Sequence, residues 1–255
     1  MSDINQDPFA WLSRTELILG REGLEELSTK NVIVIGLGGV GSFAAELICR
    51  AGIGKMTIVD GDVVDLTNCN RQLPAMRTTV GQSKAQIMAE RLKNINPNIE
   101  LTVIEEFLEP ERINQILETP YDYLVDAIDS VTPKLHIIKT AYERRIPLIS
   151  SMGAGGKIDP TRVRIADLSE TKNCALAHHV RKTLRRRGIS KGVRVVYSTE
   201  LPIAESLMLT DGSNFKKSAY GTMSYMPAIF GCNCAAAVIR GLLRKKGEAF
   251  GIGNG

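Results

Sequence analysis

Residues 36 to 42 read Gly36-Leu37-Gly38-Gly39-Val40-Gly41-Ser42. They follow the apolar, β-branched run Val32 to Ile35 and precede a helical pattern from Ser42 to Ala51. Glycines at such a junction allow positive φ and let the backbone approach a phosphate closely. A helix starting there offers free N–H groups and the positive end of its dipole to an anion. Asp60 closes the next apolar run, Met56 to Val59, where a carboxylate can accept hydrogen bonds from ribose hydroxyls. By itself this pattern fits a dinucleotide as well as ATP.

The residues beyond Asp60 separate the two. Asn68, Arg71 and Gln72 follow within one short stretch, and Lys84 comes soon after. A hydride-transferring enzyme has no need of them there. A triphosphate does, because one helix N-terminus cannot neutralise three phosphates. Arg71 supplies a fork for phosphate oxygens, and Lys84 supplies a point charge. Asp126-Ala127-Ile128-Asp129 ends a further apolar run. An acid at that edge of a sheet can hold Mg²⁺ against phosphate oxygens. ATP with Mg²⁺ is the expected pair.

The elements that position these groups follow from periodicity. Strands are expected at Val32 to Ile35, Met56 to Val59, Leu101 to Ile104, Tyr123 to Ala127 and from Pro147 to Ser150. Helices are expected between them at Ser42 to Ala51, Gly81 to Asn94, Pro110 to Leu117 and Pro133 to Arg144. Pro110 suits a first helical position. Strands alternating with helices imply βαβ units and a mostly parallel sheet. The later part offers strands near Val163 to Ala166 and Val193 to Tyr197, a basic helix between them, and a final apolar helix. The expected fold is α/β: a Rossmann-like, doubly wound sheet with an irregular C-terminal substrate-binding extension. One domain over residues 1 to 255 is expected. Its nucleotide-binding half runs to about residue 150, and its substrate-binding half covers about 151 to 255.

Composition excludes several classes. With 44% hydrophobic and 24% charged residues, the chain is neither disordered nor fibrous. Mean hydropathy of −0.03 argues against several membrane spans. Met223 to Leu243 is the longest apolar stretch, but Pro227, Asn233 and Arg240 interrupt it, so a buried helix is expected. Residues 1 to 12 lack the basic start of a secretory signal. Cys49, Cys69, Cys174, Cys232 and Cys234 form no CxxC pair, so neither a paired-CxxC zinc site nor a disulfide framework is expected. Core packing is expected for Cys232 and Cys234. Cys69, inside the nucleotide motif, is expected to be sensitive to thiol reagents.

These residues resemble the ThiF/MoeB/ubiquitin-activating superfamily of ATP-dependent adenylating proteins. The resemblance is carried by Gly36 to Ser42, Asp60, Asn68, Arg71, Gln72, Lys84 and Asp129. Ser13 to Gly20 also resembles the superfamily's opening motif. It implies that Gly36, Gly38, Gly39, Gly41, Ser42, Asp60, Asn68, Arg71, Gln72, Lys84 and Asp129 bind the nucleotide. Arg14, Arg71, Lys84 and Asp129 would be catalytic, with Asp129 the metal ligand. In relatives the N-terminal arginine reaches ATP in the neighbouring subunit, so Arg14 implies a homodimer.

A narrower resemblance covers nearly the whole chain. Residues 68 to 72, 126 to 130, 153 to 161 and 196 to 200 together look like the tRNA threonylcarbamoyladenosine dehydratase branch. That implies ATP-dependent cyclisation of threonylcarbamoyladenosine in tRNA, through adenylation of the threonyl carboxylate and release of AMP. It also implies a cysteine desulfurase and its sulfur acceptor as associated partners, while the lack of a disulfide framework makes a reducing compartment, the cytoplasm, the expected one. The alternative is an adenylating activator of a ubiquitin-like sulfur carrier. Such activators usually carry paired CxxC zinc motifs, which are absent here.

The stretch from His178 to Arg194 contains no acidic residue. A helix over Ala175 to Arg187 would put Leu176, Val180 and Leu184 on one face. Arg181 with Arg185, and Lys182 with Arg186, would then stack on the opposite surface. Together with Arg187 they suit tRNA phosphates, with binding that falls as salt rises. Thr171 to Ala177, with Asn173 and Cys174, departs from the branch's pattern just before this helix.

Overall fold

The computed structural model describes residues 7–209 and 218–243. Its helices, in chain order, are α1 (Ser13–Thr29), α2 (Gly41–Arg50), α3 (Lys84–Ile95), α4 (Pro110–Ile116), α5 (Val131–Glu143), α6 (Ala175–Arg186) and α7 (Tyr225–Leu242). The strands are β1 (Asn31–Ile35), β2 (Lys55–Val59), β3 (Glu100–Ile104), β4 (Tyr123–Asp126), β5 (Leu148–Ser151), β6 (Val163–Asp167), β7 (Arg194–Ser198), β8 (Leu207–Leu209) and β9 (Ser218–Tyr220).

The main sheet runs β3-β2-β1-β4-β5-β7-β6. Every pairing in it is parallel except β6 with β7, so the expected doubly wound α/β sheet is present with one antiparallel edge. The order reverses beside β1, so the crevice past the ends of β1 and β4 is the place for a ligand. β8 and β9 form a separate antiparallel pair that periodicity does not reveal.

Strand alternation sorts side chains to the two faces. Val32 and Val34 of β1 join one core with α2, α3 and α7, whereas Ile33 and Ile35 join the other with α4, α5 and α6. Full burial of such a side chain contributes roughly 1.5–3 kcal/mol. α7 is long and apolar enough to cross a membrane, but half of it is buried in the molecule. Its Gly231 backs onto α2 so tightly that a Cβ there would lie 2.6 Å from the Val40 carbonyl oxygen.

Three expectations need correction. The helix expected from Gly81 begins at Lys84, because Gly81 has φ +85° and the Ser83 hydroxyl caps the helix by accepting the Gln86 N–H. Ser13 to Gly20, noted above only for its motif, lie in a helix that continues to Thr29 as α1 and is kinked where Gly20 takes φ +70°. Cys234 is buried, but Cys232 is exposed, because it stands on the opposite side of α7 from the residues that pack.

Candidate active site

The glycine-rich loop leaves β1 and enters α2 at the sheet's C-terminal edge. Gly36 has φ +90°, and its N–H bonds to the Val59 carbonyl at 2.8 Å. A Cβ on Gly41 would sit 1.7 Å from the Gly36 carbonyl oxygen, and one on Gly39 would strike Pro227 of α7 at 2.9 Å. The loop is thus glycine by steric need and not only for ligand access. Ser42 is fully buried, and its hydroxyl donates to the Gly38 carbonyl at 2.6 Å, so it braces the turn.

Asp60 directly follows β2 and faces the loop. Its carboxylate accepts the Leu37 N–H at 2.6 Å and the Asp62 N–H at 2.8 Å. Burial pushes its pKa up, and these two bonds only partly offset that. The Lys84 ammonium lies 3.0 Å from Asp62 and is almost wholly buried. Lys84 is therefore a buried charge paired with Asp62 and not a surface charge.

Asn68 closes a short turn capped by Asp65, and its carbonyl accepts the N–H groups of Arg71 and Gln72 at 3.0 Å. The Arg71 guanidinium donates to the Thr67 carbonyl at 3.0 Å and to the Asn70 side chain at 2.9 Å. Only one of its terminal nitrogens makes these bonds. Asn70 in turn donates to the Thr222 carbonyl at 3.1 Å, joining this turn to the C-terminal part of the chain. Gln72 reaches the glycine loop, its Nε2 lying 3.7 Å from where a Gly38 Cβ would be. Its Oε1 is buried with no hydrogen-bond partner, the one such side-chain atom among the described residues. A buried acceptor without a donor is costly. The glycine cradle and this orphaned oxygen fit a nucleotide that brings donors of its own.

Asp129 lies exposed in the loop between β4 and α5. Asp126 does not share that position, because Lys134 and Ser150 consume its carboxylate inside the sheet edge. No cluster of three or more metal-ligating side chains occurs among the described residues. One carboxylate nevertheless suits Mg²⁺, which usually keeps waters and phosphate oxygens as its remaining ligands.

Arg14 is exposed near the start of α1, away from these contacts, with Leu17 and Ile18 82% and 81% exposed beside it. The basic helix α6 forms as expected, with a shifted face. Ala177, Val180 and Leu184 are its buried residues, and Leu176 is only partly covered. Lys182, Arg185, Arg186 and Arg187 are exposed, but Arg181 is not on their surface. Its guanidinium turns inward to the Thr171 carbonyl at 2.7 Å and the Thr171 hydroxyl. Arg181 therefore anchors α6 to the preceding turn.

The divergent stretch before α6 has a local logic. Asn173 takes φ +57°, and the Cys174 sulfur caps α6 by accepting the Ala177 N–H at 3.5 Å.

Sequence reading missed two buried lysines. Lys157, 3% exposed, donates to the carbonyls of Gly153 at 3.2 Å and Ser198 at 3.4 Å. Burial pulls its pKa down, against the opposing pull of Cys174 and Glu200. Lys134 is wholly buried against Asp126. For Lys134 the available signal was the polar end of each apolar strand, Asp126 on β4 and Ser150-Ser151 on β5, which calls for a buried donor.

Comparison with known proteins agrees with this geometry. The ThiF family model matches residues 12–251. The chain is 43% identical over 239 residues to a Bacillus subtilis (strain 168) protein named tRNA threonylcarbamoyladenosine dehydratase, covering 91% of this chain and 94% of that one. A solved structure of the Escherichia coli tRNA N6-threonylcarbamoyladenosine dehydratase TcdA in complex with ATP aligns with TM-score 0.84 and 36% identity, covering 95% of this chain and 96% of the other. The Escherichia coli (strain K12) molybdopterin-synthase adenylyltransferase is 31% identical over 129 residues, about half of each chain. The chain belongs to the ThiF family.

Proposed function

We propose that this chain uses ATP to dehydrate threonylcarbamoyladenosine in tRNA to its cyclic form. The observation that carries this reading is 43% identity across nearly the full length of a dehydratase of that name. The adenylyltransferase that stands for the alternative matches only about half of each chain. Residues 1 to 255 then act as one adenylating unit, with the nucleotide on the first half and tRNA on the second.

The chemistry follows from the substrate. A carboxylate is a poor electrophile, because its leaving group would be oxide. Attack of the threonyl carboxylate on the α-phosphate forms a mixed anhydride and releases pyrophosphate. Attack by the carbamoyl group within the same substrate then closes the ring and releases AMP. Neither step asks for a protein nucleophile.

The protein's part is alignment and charge neutralisation. The N-terminus of α2 and the Gly36–Ser42 turn receive phosphate, and Asp60 faces the ribose. Gln72 offers its orphaned carbonyl to a donor on the nucleotide. Arg71 has guanidinium N–H groups left to turn toward phosphate, and Lys84 raises the local positive potential from below. Asp129 would hold Mg²⁺, which supplies charge neutralisation on phosphate oxygens. Arg14 would complete a second copy's site, and the exposed Leu17 and Ile18 beside it favour a homodimer joined through α1. Lys182, Arg185, Arg186 and Arg187 supply the tRNA surface. We place the enzyme in the cytoplasm, with its tRNA substrate. A cysteine desulfurase and its sulfur acceptor remain partners implied by resemblance alone.

The test is ATP conversion with tRNA that carries the modification, with the nucleoside product analysed by mass. AMP formation with loss of one water from the modified nucleoside is the expected result. ATP binding without AMP formation on that tRNA, but with AMP formation on a protein ending in Gly-Gly, would overturn the reading.

A further inference from the structure

We infer that Lys134 is a positioning residue for adenylation, acting through Asp126 and Ser150; the inference rests on the ATP-dependent reading above. Lys134 rises from the first turn of α5 and has no exposed surface. Its ammonium donates to Asp126 Oδ2 at 2.6 Å, Ser150 Oγ at 3.1 Å and Ser151 O at 3.0 Å. An ammonium has three protons, so its hydrogen-bonding capacity is filled. The Ser150 hydroxyl donates onward to the same Asp126 oxygen at 2.6 Å. The other Asp126 oxygen accepts the Ile128 N–H at 3.2 Å.

That last bond carries the effect into the site. It enters the loop that bears Asp129. Ala127, between Asp126 and Ile128, bonds through its N–H to the Ile35 carbonyl at 2.9 Å. Its atoms also line the glycine turn, lying 3.0 Å from where Cβ atoms on Gly36 and Gly41 would be. A displacement of residues 126 to 129 therefore moves both the floor of the nucleotide cradle and Asp129. Cys234 of α7, wholly buried, lies within electrostatic reach of the Lys134–Asp126 pair.

Stability alone does not account for the pair. Replacing a buried ion pair by apolar groups of similar volume is often neutral or stabilising. What the charged cluster adds is direction: three acceptors fixed around one nitrogen lock the ends of β4 and β5 in register. In a reaction that depends on alignment, a misplacement of about 1 Å costs about 100-fold in rate.

The experiment compares Ser150→Ala, Lys134→Met and Lys134→Arg with Ile113→Val, a core substitution on α4. ATP affinity, kcat and KM for AMP formation on modified tRNA, and hydrogen exchange of residues 126 to 131 are measured on folded protein. The expected result is a kcat lower by about 10- to 100-fold in Ser150→Ala and Lys134→Met, on the scale of such misplacements. ATP affinity should stay within about 3-fold, because the α2 N-terminus still takes the phosphates. Exchange at residues 126 to 131 should accelerate, Lys134→Arg should recover part of kcat, and Ile113→Val should change none of these. If Lys134→Met fails to fold, Ser150→Ala decides, since it removes one hydroxyl and adds no bulk. Wild-type kcat with unchanged exchange in Ser150→Ala, or an equal loss in Ile113→Val, overturns the inference. If wild-type protein forms no AMP on this tRNA, the functional reading fails instead, and exchange with ATP affinity still decides whether the cluster positions the loop.

Discussion

Gly41 approaches Gly36 so closely that a Cβ on Gly41 would lie 1.7 Å from the Gly36 carbonyl oxygen. That oxygen belongs to backbone pinned by the 2.8 Å bond from the Gly36 N–H to Val59, so it cannot swing aside as a side chain would. Gly41→Ala must open the turn. ATP affinity should fall by more than about 10-fold, and the protein should lose stability as an overpacked core does, by about 1–3 kcal/mol. ATP titration and thermal melting check both; an ATP affinity equal to wild type would contradict the cradle.

Arg71 sits on the surface of the cradle and not in the core. Arg71→Ala would remove the proposed phosphate neutralisation together with two local hydrogen bonds. Turnover should fall by about 100-fold, the scale of one lost transition-state donor. Stability should change by only about 0.5 kcal/mol, as at surface positions generally. AMP formation and a denaturant melt separate the two effects, and unchanged turnover would remove Arg71 from the site.

Charge reversal on α6 should act on tRNA alone. Arg185, Arg186 and Arg187 are exposed and far from the glycine loop in sequence. Changing all three to Glu should weaken tRNA binding steeply and reduce the salt slope by about one for each phosphate no longer neutralised. ATP affinity should not move. Arg181→Ala should behave differently, lowering the melting temperature, because that guanidinium holds Thr171. Filter binding across a salt series distinguishes these outcomes, and equal tRNA affinity in the triple variant would refute the surface.

Glu46 predicts an acid dependence. It joins α2 to α3 through Arg91 and also pairs with Arg50 at 2.8 Å. Burial pushes its carboxyl up, but the hydrogen bonds from Arg91 and Arg50 outweigh that and leave it below the usual range. A depressed folded pKa means stability that is present above the unfolded value and lost as pH falls through the folded one. Glu46→Gln should melt about 2–4 °C below wild type at pH 7, the shift expected for about 1 kcal/mol in a chain of this size. The gap should close as pH falls below about 4. Melting curves across that range check the sign; a gap that widened in acid would be wrong for this mechanism.

The thiols should sort by burial. Cys49 and Cys234 are pushed up to about 12 by burial, so iodoacetamide near neutral pH should leave both intact in folded protein. Cys69 is half-buried within the nucleotide motif, and ATP should slow its labelling and no other. Peptide mass mapping with and without ATP reads this directly, and labelling of Cys234 as fast as exposed Cys232 would contradict it.

The βαβ order, the glycine turn and the set of polar residues around it were legible from residue types and spacing alone. Those depend on short-range rules: apolar, β-branched runs in strands such as Val32 to Ile35, and the need for glycine where backbone meets backbone. Which charges stay exposed and which hold the fold depends on packing between elements far apart in the chain. Arg181 and Arg185 lie one helical turn apart, yet one anchors Thr171 and the other meets solvent, because α6 rotates to bury Ala177 in place of Leu176. Asp126 and Asp129 are three residues apart, yet Lys134 takes the first inside the sheet edge. Cys232 and Cys234 differ in the same way across α7. In each case the residue type was legible and its direction was not. Direction is set by which neighbouring element removes a side chain from water, and that neighbour lies far away in sequence.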